Sequence, residues 1–109
     1  MTNQEYEACV PIFKALSDAT RLKIVEQLSH GEKCAGKLLT AFCITQPTLS
    51  YHMKILTDCE LVLARRDGNW INYRVNPVKL RIICTFLQGI FGCMEQQKES
   101  EPQNLTETP

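Results

Sequence analysis

Apolar residues recur at helical spacing along most of this chain, with one interval of strand-like alternation in its second half. Tyr6, Val10, Phe13 and Leu16 fall on one side of a helix over Asn3–Leu16, with Cys9 beside them. Pro11 lacks an N–H and predicts a kink or restart of that helix. Capping residues in Ser17-Asp18-Ala19-Thr20-Arg21 open a second helix, which ends near Ser29 before Gly31. Leu22, Ile24, Val25 and Leu28 form its inward face. A short third helix over 35–42 buries Leu38, Leu39 and Phe42, and Cys43-Ile44 makes a tight turn. Thr45 then caps a fourth helix with Pro47 in its first turn. Leu49, Met53 and Leu56 lie at i, i+4, i+7 on this helix, so Ser50, Tyr51 and Lys54 point away from the buried stripe. Residues 61–66 read as a strand, Asp67-Gly68 is a strong hairpin signal, and Trp70–Val75 alternates as the return strand. Pro77 opens a last helix ending at 94–97, apolar on more than one side through Leu80, Ile82, Ile83, Phe86, Leu87, Ile90 and Phe91.

Two short helices joined by about three residues, the second with a polar outer face, make a helix-turn-helix pattern. A hairpin directly after it is a wing. A two-stranded hairpin is marginal alone in water, so this one must pack against the helices. The expected fold is therefore mainly α with a small β-hairpin, a winged helix-turn-helix occupying 1–96. The polar segment 97–109 reads as a disordered tail. A last helix apolar nearly all round needs cover, and a second copy of the chain is the expected cover. The pattern predicts a homodimer with the first and last helices at its seam.

At 109 residues the chain fits one small domain, and 12 basic against 12 acidic residues leave no global field toward nucleic acid. Local clustering changes that picture. Lys54, Arg65, Arg66 and Arg74 lie centrally, while acids gather toward both ends. The N-terminus has no secretory pattern, and the apolar run 82–94 is interrupted by Gln88 and too short to span a bilayer. These features predict a soluble cytoplasmic protein with no membrane partner. Six cysteines without a CxxC pair do not suit a secreted disulfide framework. Most fit as small buried apolar groups, leaving room for thiolate ligands or redox-active thiols. An enzyme with Cys34 as nucleophile lacks an obvious general base, since His30 and His52 are the only histidines. There is no GxSxG, HExxH or Gly-rich phosphate loop.

Four motifs in order carry a resemblance to a known family. They are Phe13-Lys-Ala-Leu-Ser-Asp-Ala-Thr-Arg-Leu-Lys-Ile-Val25, Gly31-Glu-Lys-Cys34, Thr45-Gln-Pro-Thr-Leu-Ser-Tyr-His-Met-Lys-Ile-Leu56 and Gly68-Asn-Trp-Ile-Asn-Tyr-Arg74. Over roughly Cys9 to Phe91 the chain resembles the ArsR/SmtB metal- and metalloid-sensing repressors. The resemblance implies a winged-helix homodimer on a palindromic double-stranded operator, released when an inducer binds. It places Gln46, Thr48, Ser50, Tyr51 and Lys54 on the recognition helix, with Ser50 and Tyr51 reaching bases or phosphates. Arg65, Arg66 and the turn from Asp67 to Asn69 would set the wing against the minor groove or backbone. His52, at the edge of the buried stripe, is expected to hydrogen-bond structurally rather than to ligate metal.

The sensing site departs from the family pattern. Arsenic-responsive members that this chain resembles carry Cys-x-Cys at the start of the third helix. Here the wording is Cys34-Ala35-Gly36, so one thiol remains, and a soft metalloid needs two or three thiolates. Cys34 is the first candidate ligand and Cys9 the second, since first helices can approach the other protomer's third helix. Cys84 and Cys93 rank lower, being roughly half a turn out of phase on one helix, and Cys43 and Cys59 fit as packing residues. Zinc at the family's last-helix site is disfavoured because that helix has no His and no Asp. The expected inducer is arsenic(III) or antimony(III), then a thiophilic divalent metal such as cadmium or lead, then a redox or persulfide signal. A site that has lost its function is the remaining alternative. No cofactor is required.

Overall fold

The structure is a computed structural model, and it describes residues 1–98. Its elements are α1 (Asn3–Leu16), α2 (Ala19–Leu28), β1 (Lys33–Cys34), α3 (Ala35–Phe42), α4 (Gln46–Asp58), β2 (Val62–Asp67), β3 (Trp70–Val75) and α5 (Pro77–Lys98). Most of the expected elements stand where the hydrophobic pattern puts them. α5 runs through Gln97 and Lys98, the first two residues of the expected tail; the remainder of that tail lies outside the described residues.

Local chemistry accounts for the boundaries. Thr2 and Glu5 form a reciprocal capping box at α1, with Glu5 N–H donating to Thr2 Oγ1 at 3.2 Å and Thr2 N–H to Glu5 Oε1 at 2.7 Å. α1 passes unbroken through Pro11, where the sequence predicts a kink or restart. Pro11 and Glu7 are both on the exposed side, so water can take the carbonyl that the proline leaves without a donor. α3 ends on Cys43 in the left-handed region at φ 53°, which turns the chain sharply into α4. Thr45 Oγ1 accepts from Thr48 N–H at 3.3 Å to start α4.

The sheet has one strand more than the sequence predicts. β2 and β3 make the expected hairpin, closed by Gly68 at φ 66°, a conformation glycine adopts without a Cβ clash. β1 pairs antiparallel with the other edge of β3, Lys33 opposite Tyr73 and Cys34 opposite Asn72. The wing is therefore rooted in the segment that leads into α3, which supplies support a lone hairpin lacks.

The core gathers Ile12, Ile24, Leu38, Leu56, Leu61 and Val62, with the α4 stripe Leu49, Met53 and Leu56 fully inside. α1 turns Cys9, Ile12 and Ala15 inward, while Tyr6 and Val10 of the expected face are half exposed. Leu22 of α2 likewise points outward. α5 lies along α1, with Phe86 edge-on to Tyr6 and Phe13 at centroid distances of 6.3 and 6.1 Å. Among the α5 residues whose burial is described only Ile83 is buried, and Val78, Leu87, Ile90, Phe91 and Met94 are 45–69% exposed. The all-round apolar pattern therefore does not mean burial within one chain. By length and composition α5 is also long enough to cross a membrane, unlike the shorter run 82–94 considered from sequence.

Candidate nucleic-acid interface and thiol positions

α4 presents its candidate contacts as a consequence of how it is buried. With Leu49, Met53 and Leu56 locked in the core, Gln46, Thr48, Ser50, Tyr51 and Lys54 all emerge on the solvent side. Tyr51 is 62% exposed. The first turn carries no acidic residue, so the positive end of the helix dipole is free to meet an anion. Thr48 Oγ1 accepts from Thr45 Oγ1 at 2.9 Å, which ties its hydroxyl into the cap. Lys54 Nζ lies 3.2 Å from Asp58 Oδ2, an exposed pair that a phosphate can readily replace.

The wing residues divide in a way that sequence alone did not reveal. Arg66 and Asn69 are exposed, and Arg66 has no ion-pair partner among the described residues. Arg65 instead folds back onto Glu32, its Nη2 donating to Oε1 at 2.8 Å and its Nε to Oε2 at 3.3 Å. Asp67 adds a longer contact at 3.7 Å. The hydrogen bond from Arg65 holds the Glu32 carboxyl below its usual range, and the same bond raises the guanidinium. Arg65 is thus partly neutralised by carboxylates of its own chain. The two partners are far apart in sequence, and no local pattern signals the pair. Trp70, also exposed, stands directly after the wing turn opposite Asp67, where the sequence pattern marks only a strand residue.

A buried polar cluster backs the helix. Arg21 and His52 are 9% and 8% exposed. Arg21 Nε donates to the Ala15 carbonyl at 2.7 Å, and its Nη1 lies 3.1 Å from His52 Nδ1. Asp18 Oδ2 accepts from Arg21 N–H at 3.1 Å and stands 3.8 Å from His52 Nδ1. The expectation that His52 makes a structural hydrogen bond holds. The burial of Arg21 has no local signal, because an arginine beside capping residues reads as part of a solvated helix start.

The thiols are dispersed. Cys9 is buried in the protomer's core, Cys34 is half-buried at the N-cap of α3, and Cys84 and Cys93 are exposed along α5. No group of three or more His, Cys, Asp or Glu side chains that could hold a metal gathers among the described residues. The candidate ligands Cys34, Cys9, Cys84 and Cys93 are therefore not brought together as a set within one chain. Cys34 borders a shallow open depression with Lys33, Gly36 and Lys37. A Cβ built on Gly36 would sit 3.9 Å from Cys34 Sγ, in ordinary contact, so the site has room for the side chain that the Cys-x-Cys pattern would place there.

The sequence pattern of bacterial regulatory proteins of the arsR family matches residues 18–63, from the α2 cap into β2. An arsenical resistance operon repressor from Staphylococcus aureus is 52% identical over 71 residues, covering 65% of this chain and 68% of that protein. A protein of the same description from Escherichia coli K12 is 34% identical over 97 residues, covering 88% and 83%. Among solved structures, an ArsR-like transcriptional regulator from Rhodococcus sp. RHA1 superposes with a TM-score of 0.71 at 26% identity, covering 87% of this chain and 90% of that one.

Proposed function

The chain belongs to the arsR family of bacterial regulatory proteins, which are DNA-binding transcriptional repressors and not enzymes, and from that premise we propose an arsenite- or antimonite-released repressor acting in the cytoplasm. The observation that carries the DNA reading is the exposed face of α4, held outward by its buried stripe beside the wing. Ser50 and Tyr51 reach base edges or phosphates, and Gln46, Thr48 and Lys54 position the backbone. Arg66 and Asn69 bring the wing to the flanking phosphates, and Arg65 joins them when it leaves Glu32.

A second copy of the chain covers the apolar side of α5 and the outer face of α1. Two recognition helices related by two-fold symmetry then match a palindromic operator in adjacent major grooves. Lipid is a poorer cover than a second copy. Lys79, Arg81, Gln88 and Glu95 interrupt the helix, and one side already packs on α1 through Phe86.

For the inducer, Cys34 anchors the site. It is a half-exposed thiol at the start of α3, and β1 ties its backbone to the wing strand. Each thiol gives up its proton and displaces one hydroxyl of arsenite or antimonite, which leaves as water; further thiolates come from the exposed Cys84 or Cys93 across the dimer, since Cys9 is buried in its own core. Coordination favours a dimer geometry that no longer fits the operator. A coupling of about 1–3 kcal/mol changes DNA affinity 5–150-fold. The relatives described as arsenical resistance operon repressors support this choice of inducer. The test titrates reduced protein bound to its upstream promoter fragment with arsenite, antimonite and cadmium, following thiolate absorbance and DNA release. Release by arsenite, lost in Cys34→Ser, is expected. Release by cadmium alone would replace the inducer, and no release by any of the three would remove metalloid sensing.

A further inference from the structure

The buried cluster behind the recognition helix has a feature that DNA contact alone does not explain. His52 Nδ1 has two partners within reach, and they suit opposite protonation states. Arg21 Nη1 at 3.1 Å carries only N–H donors, so the bond requires an unprotonated Nδ1 that accepts. Asp18 Oδ2 at 3.8 Å is an acceptor, so it suits Nδ1 only when that nitrogen carries a proton. Asp18 is held below the usual carboxylate range, first by the backbone N–H of Arg21, and so remains an anion as solution acidifies. The guanidinium stays charged throughout.

This cluster touches the DNA-facing surface. The His52 ring packs edge-on against the Tyr51 ring at 5.2 Å between centroids. Arg21 in turn joins three elements, bonding the α1 carbonyl of Ala15, starting α2 above the Asp18 cap, and meeting α4 at His52. The charged and titratable groups facing the imidazole are Arg21 and Asp18 from α2 and Tyr51 from α4 itself. Among the described residues, no side chain of α1, α3 or β2 makes a hydrogen bond or ion pair with it.

We propose that His52 is the positioning residue of the recognition helix and makes DNA affinity fall with acidification. With Nδ1 unprotonated it accepts from Arg21 and keeps Tyr51 in place. With a proton taken from solvent onto Nδ1 it faces a cation at Arg21, turns to Asp18, and loosens the junction of α1, α2 and α4. The sign follows from the partners: the bond from Arg21 needs an unprotonated Nδ1 and Asp18 suits a protonated one, so acidification works against the arrangement with Arg21. The inference rests on α4 being the DNA-reading helix.

The experiment measures binding of the full chain to a labelled duplex from its own upstream promoter, from about pH 8 to about pH 5.5 at constant ionic strength. Wild type is expected to lose affinity by about tenfold across that range. His52→Gln keeps an acceptor for Arg21 and cannot titrate, so it should match wild type at the upper end and stay flat. His30→Gln, changed at the exposed histidine outside the cluster, should titrate like wild type. Should His52→Gln fail to fold, nitrogen-resolved NMR of wild type gives the same answer. Protonation at His52 Nδ1 should move the Arg21 Nε–H and Tyr51 ring signals together. A flat wild-type profile, an unchanged profile in His52→Gln, or a His52 titration that leaves Arg21 and Tyr51 unmoved overturns the proposal. Absence of DNA binding at every pH overturns the DNA reading instead.

Discussion

Replacing Arg21 tests whether the buried cluster or the hydrophobic stripe alone holds α4 in place. Arg21→Met keeps much of the apolar stem that fills the site and removes every donor. Two buried acceptors then lose their partner, the Ala15 carbonyl and His52 Nδ1, now 2.7 and 3.1 Å from Arg21 nitrogens. Leaving a buried acceptor unsatisfied costs about 1–3 kcal/mol, so the change should cost about 2–6 kcal/mol in all. A domain of this size has about 5–15 kcal/mol of stability in total, so the loss is severe. The assay is denaturant unfolding at fixed protomer concentration, which matters because association would stabilise the folded chain. His52→Phe and the double variant complete a cycle. Once His52 Nδ1 is gone, Arg21→Met should cost less, with a coupling of about 0.5–3 kcal/mol. A cost below about 1 kcal/mol for Arg21→Met, or a coupling of zero, would refute the account of this junction.

Ile90→Glu with Phe91→Glu places charge on the exposed side of α5, and sedimentation should then show monomers where wild type is a dimer; a wild-type monomer at micromolar concentration would refute the dimer. Gly36→Cys restores a thiol one residue beyond Ala35 with no steric obstacle, since the new Cβ meets Cys34 Sγ at 3.9 Å. Arsenite should release this variant from DNA at lower concentration than wild type, and an unchanged midpoint would argue against Cys34 as the anchor. Glu32→Gln removes the nearer of the two carboxylates on Arg65 and leaves Asp67 at 3.7 Å, so DNA affinity should rise and fall more steeply with salt. Because Arg65 holds Glu32 below its ordinary value of 4.5, the pair's contribution is present above that pH and lost as pH falls through the lowered value. Wing amide signals in an NMR titration should therefore stay fixed down to that range and shift below it.

Much of the helix-turn-helix and wing is legible because its signals are local. Thr45, Pro47 and the Leu49-Met53-Leu56 stripe define α4 within a dozen residues, and the structure realises each of them. Asp67-Gly68 fixes the wing turn for the same reason. What escaped depends on distant partners. β1 is two residues long, too short for any alternation to show, and exists because β3 offers an open edge. Arg65 meets Glu32, and Arg21 meets His52, across 33 and 31 residues of sequence. α5 shows the limit most plainly. Its apolar residues predict burial, but a pattern along one chain does not say whether the cover is the same chain or another. The missing second thiol at Gly36 is visible at once, and Cys9 is buried as a free cysteine is expected to be, whereas Cys43, Cys84 and Cys93 are exposed against that expectation.

Binding of the full chain to its upstream promoter duplex, followed by fluorescence anisotropy alongside Tyr51→Ala/Lys54→Ala, tests the central claim most directly. Both side chains project from the exposed face of α4 and leave the buried stripe untouched. The double variant should keep its helical circular dichroism and lose about 1–3 kcal/mol of binding per residue, with the salt dependence reduced by about one phosphate contact. A folded double variant that binds the duplex with wild-type affinity and wild-type salt dependence would contradict the assignment of α4 as the recognition helix.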